Sequence, residues 1–257
     1  MAKLEGNILF TGSLGNVSAY RLQQSGTIVL RAKGGASKKK IRNAPEFINT
    51  RRNNEEFGRC STAAAAIKHV LSPLRQIPNQ NLVSAFCSLC RKILVLDQEH
   101  DWGQREVYFS PHPHLLSGFN LSTRDSYDSV VVSPLVYTFD PGTAAVTIDV
   151  PALLPGANLR LPGSFPFYRL VFSLGLLPDT ASKPKALPVQ AMYGEWTRSG
   201  VGQPAQAYQL KLPDYGALAP GHNLLIGAGI EMSVNGREAV RHAGAGKILA
   251  LIAGEKL

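Results

Sequence analysis

Two short motifs contain the residue types that could bind a metal ion or carry out redox chemistry. Cys87 and Cys90 stand in a Cys-x-x-Cys arrangement, the spacing of zinc knuckles and thiol redox pairs, and His112 and His114 flank a proline. A zinc site needs further ligands, and none stands at knuckle spacing from the two cysteines. A redox pair opens a helix, whereas these cysteines fall in the middle of a predicted one. We predict buried core cysteines and a surface turn at the histidines, with a zinc half-site or redox pair as the alternatives.

The common catalytic signatures are missing from the sequence. It contains no Gly-x-Ser-x-Gly elbow, no His-Glu-x-x-His, no Gly-x-x-x-x-Gly-Lys-Ser/Thr loop and no Gly-x-Gly-x-x-Gly between a strand and a helix. The acidic residues are scattered and form no close pair suited to acid-base catalysis. We therefore predict no catalytic residue, no metal site and no cofactor, and a protein that is not an enzyme.

Positive charge is concentrated at the start of the chain. The formal net charge is +9, and the first 60 residues carry +7 of it, from eleven Lys and Arg against four Glu. Charge that serves only to keep a protein in solution would be spread along the chain, so we predict that this end contacts an anionic macromolecule. The alternative is a solvated surface with counterions. The residues predicted to make the contact are Arg21, Arg31, Lys33, Lys38, Lys39, Lys40, Arg42, Arg51 and Arg52.

The charged residues are predicted to lie on strands, a loop and a helix. Residues 7–11, 16–22 and 27–31 are short apolar or β-branched runs separated by glycine-containing turns, which predicts a three-stranded β-meander. The segment 33–40 is rich in glycine and lysine. We expect it to be an exposed loop or flexible connector.

Three helical segments are predicted to follow the loop. The first begins near residue 43, and its Arg51 and Arg52 are expected to pair with the glutamates four residues further on, on the outer face. The second covers residues 61–71 and ends before a proline. The third covers residues 81–96, where apolar residues repeat with the period of a buried helix face.

From residue 106 onward the pattern changes to strands separated by turns. The predicted strands are 106–110, 129–133, 135–139, 144–150, 167–176, 189–196, 208–212, 223–233 and 247–253. In the run 167–176 apolar residues alternate with smaller or polar ones, which indicates one strongly apolar face. We predict the α+β fold class: an N-terminal β-meander and helices in residues 1–105, then an antiparallel β-sandwich in residues 106–257.

Aromatic residues in the second region could line a binding groove. Phe165, Phe167 and Tyr168 form one cluster, and Tyr193 and Trp196 form another. A sugar or peptide groove uses such side chains, but the core of a sandwich uses them at the same alternation. Core packing is the prediction here, with a groove as the alternative.

Several stretches of the chain can be compared with known sequences. Phe10–Arg21 reads FTGSLGNVSAYR, Leu30–Gly35 reads LRAKGG, Pro45–Gly58 reads PEFINTRRNNEEFG, and, more loosely, Gly229–Gly236 reads GIEMSVNG. Together they resemble a family of uncharacterised proteins of Bacteroidota, with which no activity, cofactor or catalytic residue is associated. The resemblance implies that the basic N-terminal module and the β-rich C-terminal half form one architecture.

Two functions are compatible with the basic, strand-rich start of the chain. The first is a non-enzymatic structural protein that self-associates into a filament, lattice or particle, so that its partner is another copy of itself. In this interpretation residues 6–42 form the contact, and the assembly strands carry Phe10, Val17, Tyr20, Ile28 and Leu30. The alternative is a nucleic-acid-binding protein whose cations neutralise the phosphates of DNA, RNA or another polyanion.

The sequence contains no apolar run long enough for a signal peptide or a membrane span. We therefore expect the cytoplasm by default, with export by a specialised machine left open.

Overall fold

A computed structural model describes residues 2–3, 10–22, 25–179, 187–213 and 215–254 of the chain. The chain divides into two compact units, residues 1–51 (the N-terminal unit) and residues 52–257 (the C-terminal unit). This boundary falls inside a helix, whereas the sequence places it between residues 105 and 106. The reason is that helices from residue 60 onward share a core with the later strands.

The N-terminal unit contains an antiparallel sheet with the strand order β1-β4-β3-β2. Its strands are β1 (Ala2–Lys3), β2 (Gly12–Leu14), β3 (Val17–Arg21) and β4 (Ile28–Ala32). Helices and short 3-10 turns follow across both units. They are α1 (Lys38–Asn43), α2 (Ile48–Val70), α3 (Leu82–Leu94), α4 (Tyr127–Val130), and the 3-10 turns Pro45–Phe47, Ser72–Leu74 and Pro113–Leu115.

The predicted meander is confirmed for its second and third strands. Residues 7–9 of its first predicted strand, 7–11, lie outside the described residues, and Phe10 precedes β2 instead of belonging to a strand. The turn predicted at residues 12–15 is wrong, because Gly12 already belongs to β2. The chain reverses at Gly15, whose φ of +54° suits the first position of a two-residue hairpin turn.

The helical predictions hold for the positions of the helices but not for all their ends. Lys38–Asn43 includes the lysine run predicted to be a loop and forms α1 instead, because the Ser37 hydroxyl caps it by accepting from the Lys40 N–H at 3.2 Å. The two segments predicted on either side of Gly58 are one continuous helix, α2. The helix α3 is confirmed, and Asn81 is its N-cap.

The C-terminal unit contains two further antiparallel sheets. The large sheet has the order β12-β11-β7-β8, with β9 paired to β7, and the small sheet has the order β10-β6-β5. The strands are β5 (Val136–Asp140), β6 (Ala145–Val150), β7 (Phe167–Pro178), β8 (Val189–Tyr193), β9 (Thr197–Arg198), β10 (Gln206–Lys211), β11 (His222–Ser233) and β12 (Gly244–Ala253).

Two predicted strands of this unit are wrong. The strand predicted at residues 129–133 does not form, and residues 127–130 form α4. The Ser126 hydroxyl caps this helical turn by accepting from the Ser129 N–H at 3.2 Å. Residues 106–110 are irregular. There the backbone N–H groups of Phe109 and Ser110 donate to the carboxylate of Asp179, at 2.6 and 2.8 Å, and not to a neighbouring strand.

The large sheet is buried on both faces. On one face Leu170, Phe172 and Leu174 share a core with residues of the small sheet. On the other face Val171 and Leu177 share a core with α2 and α3. The prediction of a single apolar face on β7 is therefore incomplete, since Val171 is fully buried as well.

Glycines on the helix-facing side of the large sheet let the helical segment approach closely. A Cβ atom at Gly227 would lie 2.6 Å from Leu71 and Leu74, and one at Gly229 would lie 2.5 Å from Leu74 and Ile77. Only a residue without a side chain fits this contact as it stands.

The buried carboxylate of Glu56 attaches α2 to the segment after α3. It accepts hydrogen bonds from the Gly103 N–H at 2.9 Å and from Arg105 at 2.8 and 3.1 Å. Burial alone would raise the pKa of Glu56, but the hydrogen bonds from Arg105 and Gly103 outweigh it and hold the pKa below its usual value. The predicted pairing of Glu56 with Arg52 on an outer face is therefore wrong.

This arrangement predicts a pH dependence of stability. A carboxyl group with a lowered pKa in the folded state stabilises the protein above its unfolded pKa, and this contribution is lost as the pH falls through the lowered value. We expect Glu56→Gln to lower the free energy of unfolding by about 1–3 kcal/mol at pH 7 and by less at pH 3. Urea unfolding followed by circular dichroism at both pH values measures this. Glu55→Gln, at the exposed neighbouring position, is the control. If Glu56→Gln lowers the free energy of unfolding equally at pH 7 and pH 3, the prediction is contradicted.

Candidate interaction surface on the N-terminal unit

An exposed apolar row crosses the three longer strands of the N-terminal sheet. Leu14 lies directly opposite Val17, and Val17 lies directly opposite Ala32. Directly opposite residues of antiparallel strands lie on the same face. Leu14 is 70% exposed and Val17 36% exposed, and Ala32 is exposed too. We call these three residues the apolar row.

The opposite face of the same sheet is more polar. Ser13, Ser18 and Arg31 lie opposite one another across β2, β3 and β4. Tyr20 lies on this face, and its side chain is 41% exposed. The two faces therefore offer different chemistry. The apolar row lies on one face, which Arg21 shares at the end of β3, and hydroxyl, phenol and guanidinium groups lie on the other.

Few of the described residues in the N-terminal unit are buried apolar ones. They are Ala19, Ile28 and Val29. Small domains need a larger buried core than this to be stable alone. An exposed apolar row on such a thin sheet is a surface that gains stability when it is covered.

The strand β2 forms an edge of this sheet among the described residues. It pairs with β3 on one side only, and all three of its residues are exposed. An edge strand presents unpaired N–H and C=O groups that can pair with another chain. The edge and the apolar row share Leu14.

The predicted assembly residues differ in how far they can reach a partner. Val17 and Tyr20 are exposed, and Leu30 is partly buried. Ile28 lies on β4 and is 5% exposed, so its side chain is not available to a partner, and its place on an assembly strand stays a prediction. Phe10, partly buried, lies before β2 and is not an assembly strand residue.

Most of the predicted cations are exposed on the surface. Those with exposed side chains and no ion-pair partner among the described residues are Arg21, Arg31, Lys38, Lys39 and Arg42. Lys40 pairs with Glu46 at 3.4 Å, both being more than half exposed, and the Lys33 ammonium donates to the Gly15 carbonyl at 3.1 Å. Both of these remain at the surface.

Two of the predicted cations serve local structure. Arg51 donates to the carbonyls of Ile41 and Ala44, at 2.9 and 2.8 Å, and so binds the carbonyl groups at the end of α1. Arg52 stacks on the Trp102 ring, 5.4 Å from its centroid, within the C-terminal unit. The prediction that these two residues contact a partner lacks support from their surroundings.

The cysteines lie in the helical core. Cys90 is buried in the middle of α3, Cys87 is partly buried, and Cys60 is buried on α2. Burial raises the pKa of Cys60 to about 11 and raises that of Cys90 further. Buried thiols with raised pKa values are poor nucleophiles.

The histidines lie around a short 3-10 turn. The rings of His112 and His114 are 6.2 Å apart and perpendicular. Within the part of the chain that the structure describes, no group of three or more His, Cys, Asp or Glu side chains could hold a metal ion.

A guanidinium–aromatic cluster in the C-terminal unit is not among the sequence predictions. The Arg169 guanidinium lies 4.6 Å from the centroid of the Tyr193 ring and 4.4 Å from that of the Trp196 ring, and it donates twice to the buried Glu231. The sequence predicts core packing or a groove for the two aromatic residues. In the structure both rings contact the Arg169 guanidinium. Arg169 and Glu231 stand directly opposite each other on β7 and β11, a pairing that alignment of the two longest predicted strands could have found.

Comparisons of the chain with protein-family models, with curated proteins and with solved structures find no match. The resemblance to the Bacteroidota proteins stays a prediction. Among the described residues, the helices are too short or too polar for a membrane span.

Proposed function

We propose that the protein is a non-enzymatic structural protein that self-associates through its N-terminal unit into a filament, lattice or particle. The two sheets of the C-terminal unit form a β-sandwich body in this proposal. The observation that carries it is the apolar row of Leu14, Val17 and Ala32, exposed on a sheet with little core and next to an open strand edge.

Covering the apolar row supplies a driving force for association. Full burial of an exposed leucine or valine side chain contributes about 1.5–3 kcal/mol. Association must also offset lost translational and rotational freedom and the repulsion between cationic units.

Replacing Leu14 with aspartate tests this proposal. We expect Leu14→Asp to shift the protein to monomers at concentrations where the intact chain forms larger species, because a charge cannot be buried in an apolar contact at low cost. Light scattering coupled to size-exclusion chromatography measures the change. The matched control is Val234→Asp, at a 63% exposed position of the C-terminal unit, which should assemble like the intact chain. An intact chain that stays monomeric at high concentration would refute the proposal.

Nucleic-acid binding is the second candidate, and the exposed cations named above, which have no ion-pair partner in the part of the chain that the structure describes, favour it. Lys38 and Lys39 stand on the first turn of α1 with exposed side chains, and Tyr20 and Arg31 share the polar face of the sheet. An aromatic ring beside cations can stack on a base while the cations neutralise phosphates.

The salt dependence of binding tests this second candidate. For duplex DNA each phosphate contact contributes about 0.9 to the slope of log affinity against log salt. We expect Lys38→Gln with Lys39→Gln to lower that slope by up to about 1.8 in fluorescence anisotropy titrations. Lys68→Gln with Lys92→Gln, two exposed lysines of the C-terminal unit, is the control. Unchanged slopes in both double variants would remove nucleic acid as a partner of α1.

A further inference from the structure

A groove runs between two strand edges of the C-terminal unit. The strand β8 is at the edge of the large sheet and β10 is at the edge of the small sheet. The groove between them encloses about 500 Å³ and is lined by the consecutive residues 192–195 and 206–209. Because neighbouring residues of a strand point to opposite faces, the four consecutive lining residues of β10 follow the edge of that strand and not a face. The strand β8 contributes Met192 and Tyr193, and the lining continues past its end at Gly194 and Glu195. We call it the β8–β10 groove.

The lining of the groove suits an extended peptide. Gln203, Gln206 and Gln209 are in the lining, and a side-chain amide both donates and accepts hydrogen bonds as a peptide backbone does. The Gln203 amide donates to the Thr197 hydroxyl and the Gln206 amide oxygen accepts from the Tyr208 hydroxyl, so each keeps hydrogen-bonding capacity on its other atom. The edges of β8 and β10 add their own outward N–H and C=O groups. The partly buried Met192 and the 46% exposed Tyr193 supply apolar surface. Backbone pairing with apolar contact is the chemistry of strand addition.

The charge in the groove favours a basic occupant. Glu195 is exposed and is the one charged residue among the described residues of the lining. On β10 the basic residue Lys211 lies beyond the lining. The groove therefore offers a carboxylate, neutral amides and open backbone to whatever binds it.

We propose that the β8–β10 groove accepts the edge strand β2 of a second copy of this chain. This inference rests on the proposed self-association and names the surface that receives the N-terminal unit. The strand β2 is exposed, carries the apolar Leu14, and belongs to the most basic part of the chain. Pairing of β2 with β2 of another copy would instead bring two cationic units together, which like-charge repulsion disfavours.

A contact between two different surfaces determines the kind of assembly. When each copy gives one surface and receives the other, the contact is head-to-tail and continues into an open chain unless the rotation closes a ring. The groove therefore favours the filament among the assembled forms proposed above, and a two-fold dimer is not expected.

Cysteine cross-linking between two separately purified variants tests the contact. One full-length variant carries Ser13→Cys on β2, and the other carries Gln209→Cys on β10 and an affinity tag that changes its mass. After mixing and mild oxidation with diamide, we expect a covalent heterodimer of the two variants. The control mixes Ser13→Cys with tagged Val234→Cys, whose position is outside the groove lining and 63% exposed. Glu195→Lys in the Gln209→Cys variant should reduce the heterodimer several-fold.

The outcomes separate this inference from the proposed function. A heterodimer specific to Gln209→Cys supports the groove as the receiving surface. Assembly of the intact chain without that heterodimer, or with cross-linking only between two Ser13→Cys copies, overturns the groove and leaves self-association standing. A monomeric intact chain overturns both. A cross-link confined to one molecule, in a chain carrying both cysteines, also overturns the groove.

Discussion

Replacing Gly244 with alanine is expected to lower the free energy of unfolding by about 3 kcal/mol or more. Gly244 begins β12 with a φ of +128°, a backbone conformation that L-amino acids with a side chain rarely adopt. A Cβ atom there would also lie within van der Waals overlap of the carbonyl oxygen of Ile230 on the neighbouring strand. The obstacle is backbone, so it cannot turn away as a side chain would. Strain and clash therefore add at this position.

The matched substitution is Gly58→Ala. Gly58 lies inside α2, is exposed, and has no atom within 4 Å of the place that an alanine methyl group would occupy. Alanine favours helix over glycine by about 0.5–1 kcal/mol, so this variant should be more stable than the intact chain. Urea unfolding followed by circular dichroism compares the two. Equal effects of the two substitutions, or a neutral Gly244→Ala, would contradict the prediction.

Local sequence signals predict the elements that depend on local chemistry. The strands β3 and β4 and the helix α3 are predictable because turns, caps and periodicity all act within a few residues. The helix α1 is not, because its lysine run and preceding glycines resemble a loop, and only the cap at Ser37 marks its start. The sequence predicts one helix from near residue 43 and a second over residues 61–71, although the packing of the residues from Cys60 onward keeps α2 continuous.

Sequence patterns do not predict which distant elements pack against each other. The two glycines at positions 227 and 229 alternate with apolar residues in β11, and they face Leu74. Glycines at alternate positions of a buried strand are the signal of a close approach, but nothing local says which element approaches. The sequence likewise predicts only one of the two apolar faces of β7. The second face is covered by α2 and α3, which come from a region that the sequence places in another domain.

The candidate site is predictable as a region, and the structure corrects its members. Charge concentration identifies the N-terminal unit, and the strand pattern places Val17 and Tyr20 on β3. Which face each residue occupies depends on the register between strands, which only the structure supplies. Register brings Leu14 beside Val17, although the sequence assigns Leu14 to a turn.

The cluster around Arg169 allows a second prediction of large effect. Glu231 is 1% exposed, and the Arg169 guanidinium donates to one of its oxygens at 2.9 and 2.7 Å. Burial raises the pKa of Glu231 even though Arg169 opposes the shift. Removing Arg169 would leave a buried carboxylate without its partner.

Arg169→Met is expected to lower the free energy of unfolding by about 3–5 kcal/mol at pH 7 to 8, because it leaves the buried carboxylate unpaired. Methionine keeps part of the packing against Tyr193 and Trp196 but none of the charge. Without the arginine the pKa of Glu231 rises further. A folded-state pKa above the unfolded value means that stability is present at low pH and is lost as the pH rises through it. The deficit should therefore be smallest near pH 4, measured by urea unfolding at each pH.

Two variants separate charge from packing in this cluster. Arg198→Met, an exposed arginine on β9, should change stability by less than about 0.5 kcal/mol. Arg169→Met combined with Glu231→Leu should recover much of the loss, because an apolar pair of similar volume avoids the unpaired buried charge. The result could instead be that Arg169→Met lowers the free energy of unfolding equally from pH 4 to 8 and that adding Glu231→Leu recovers none of the loss. Arg169 would then act only through its contacts with the two rings. The ion pair would then contribute little to holding β7 and β11 together.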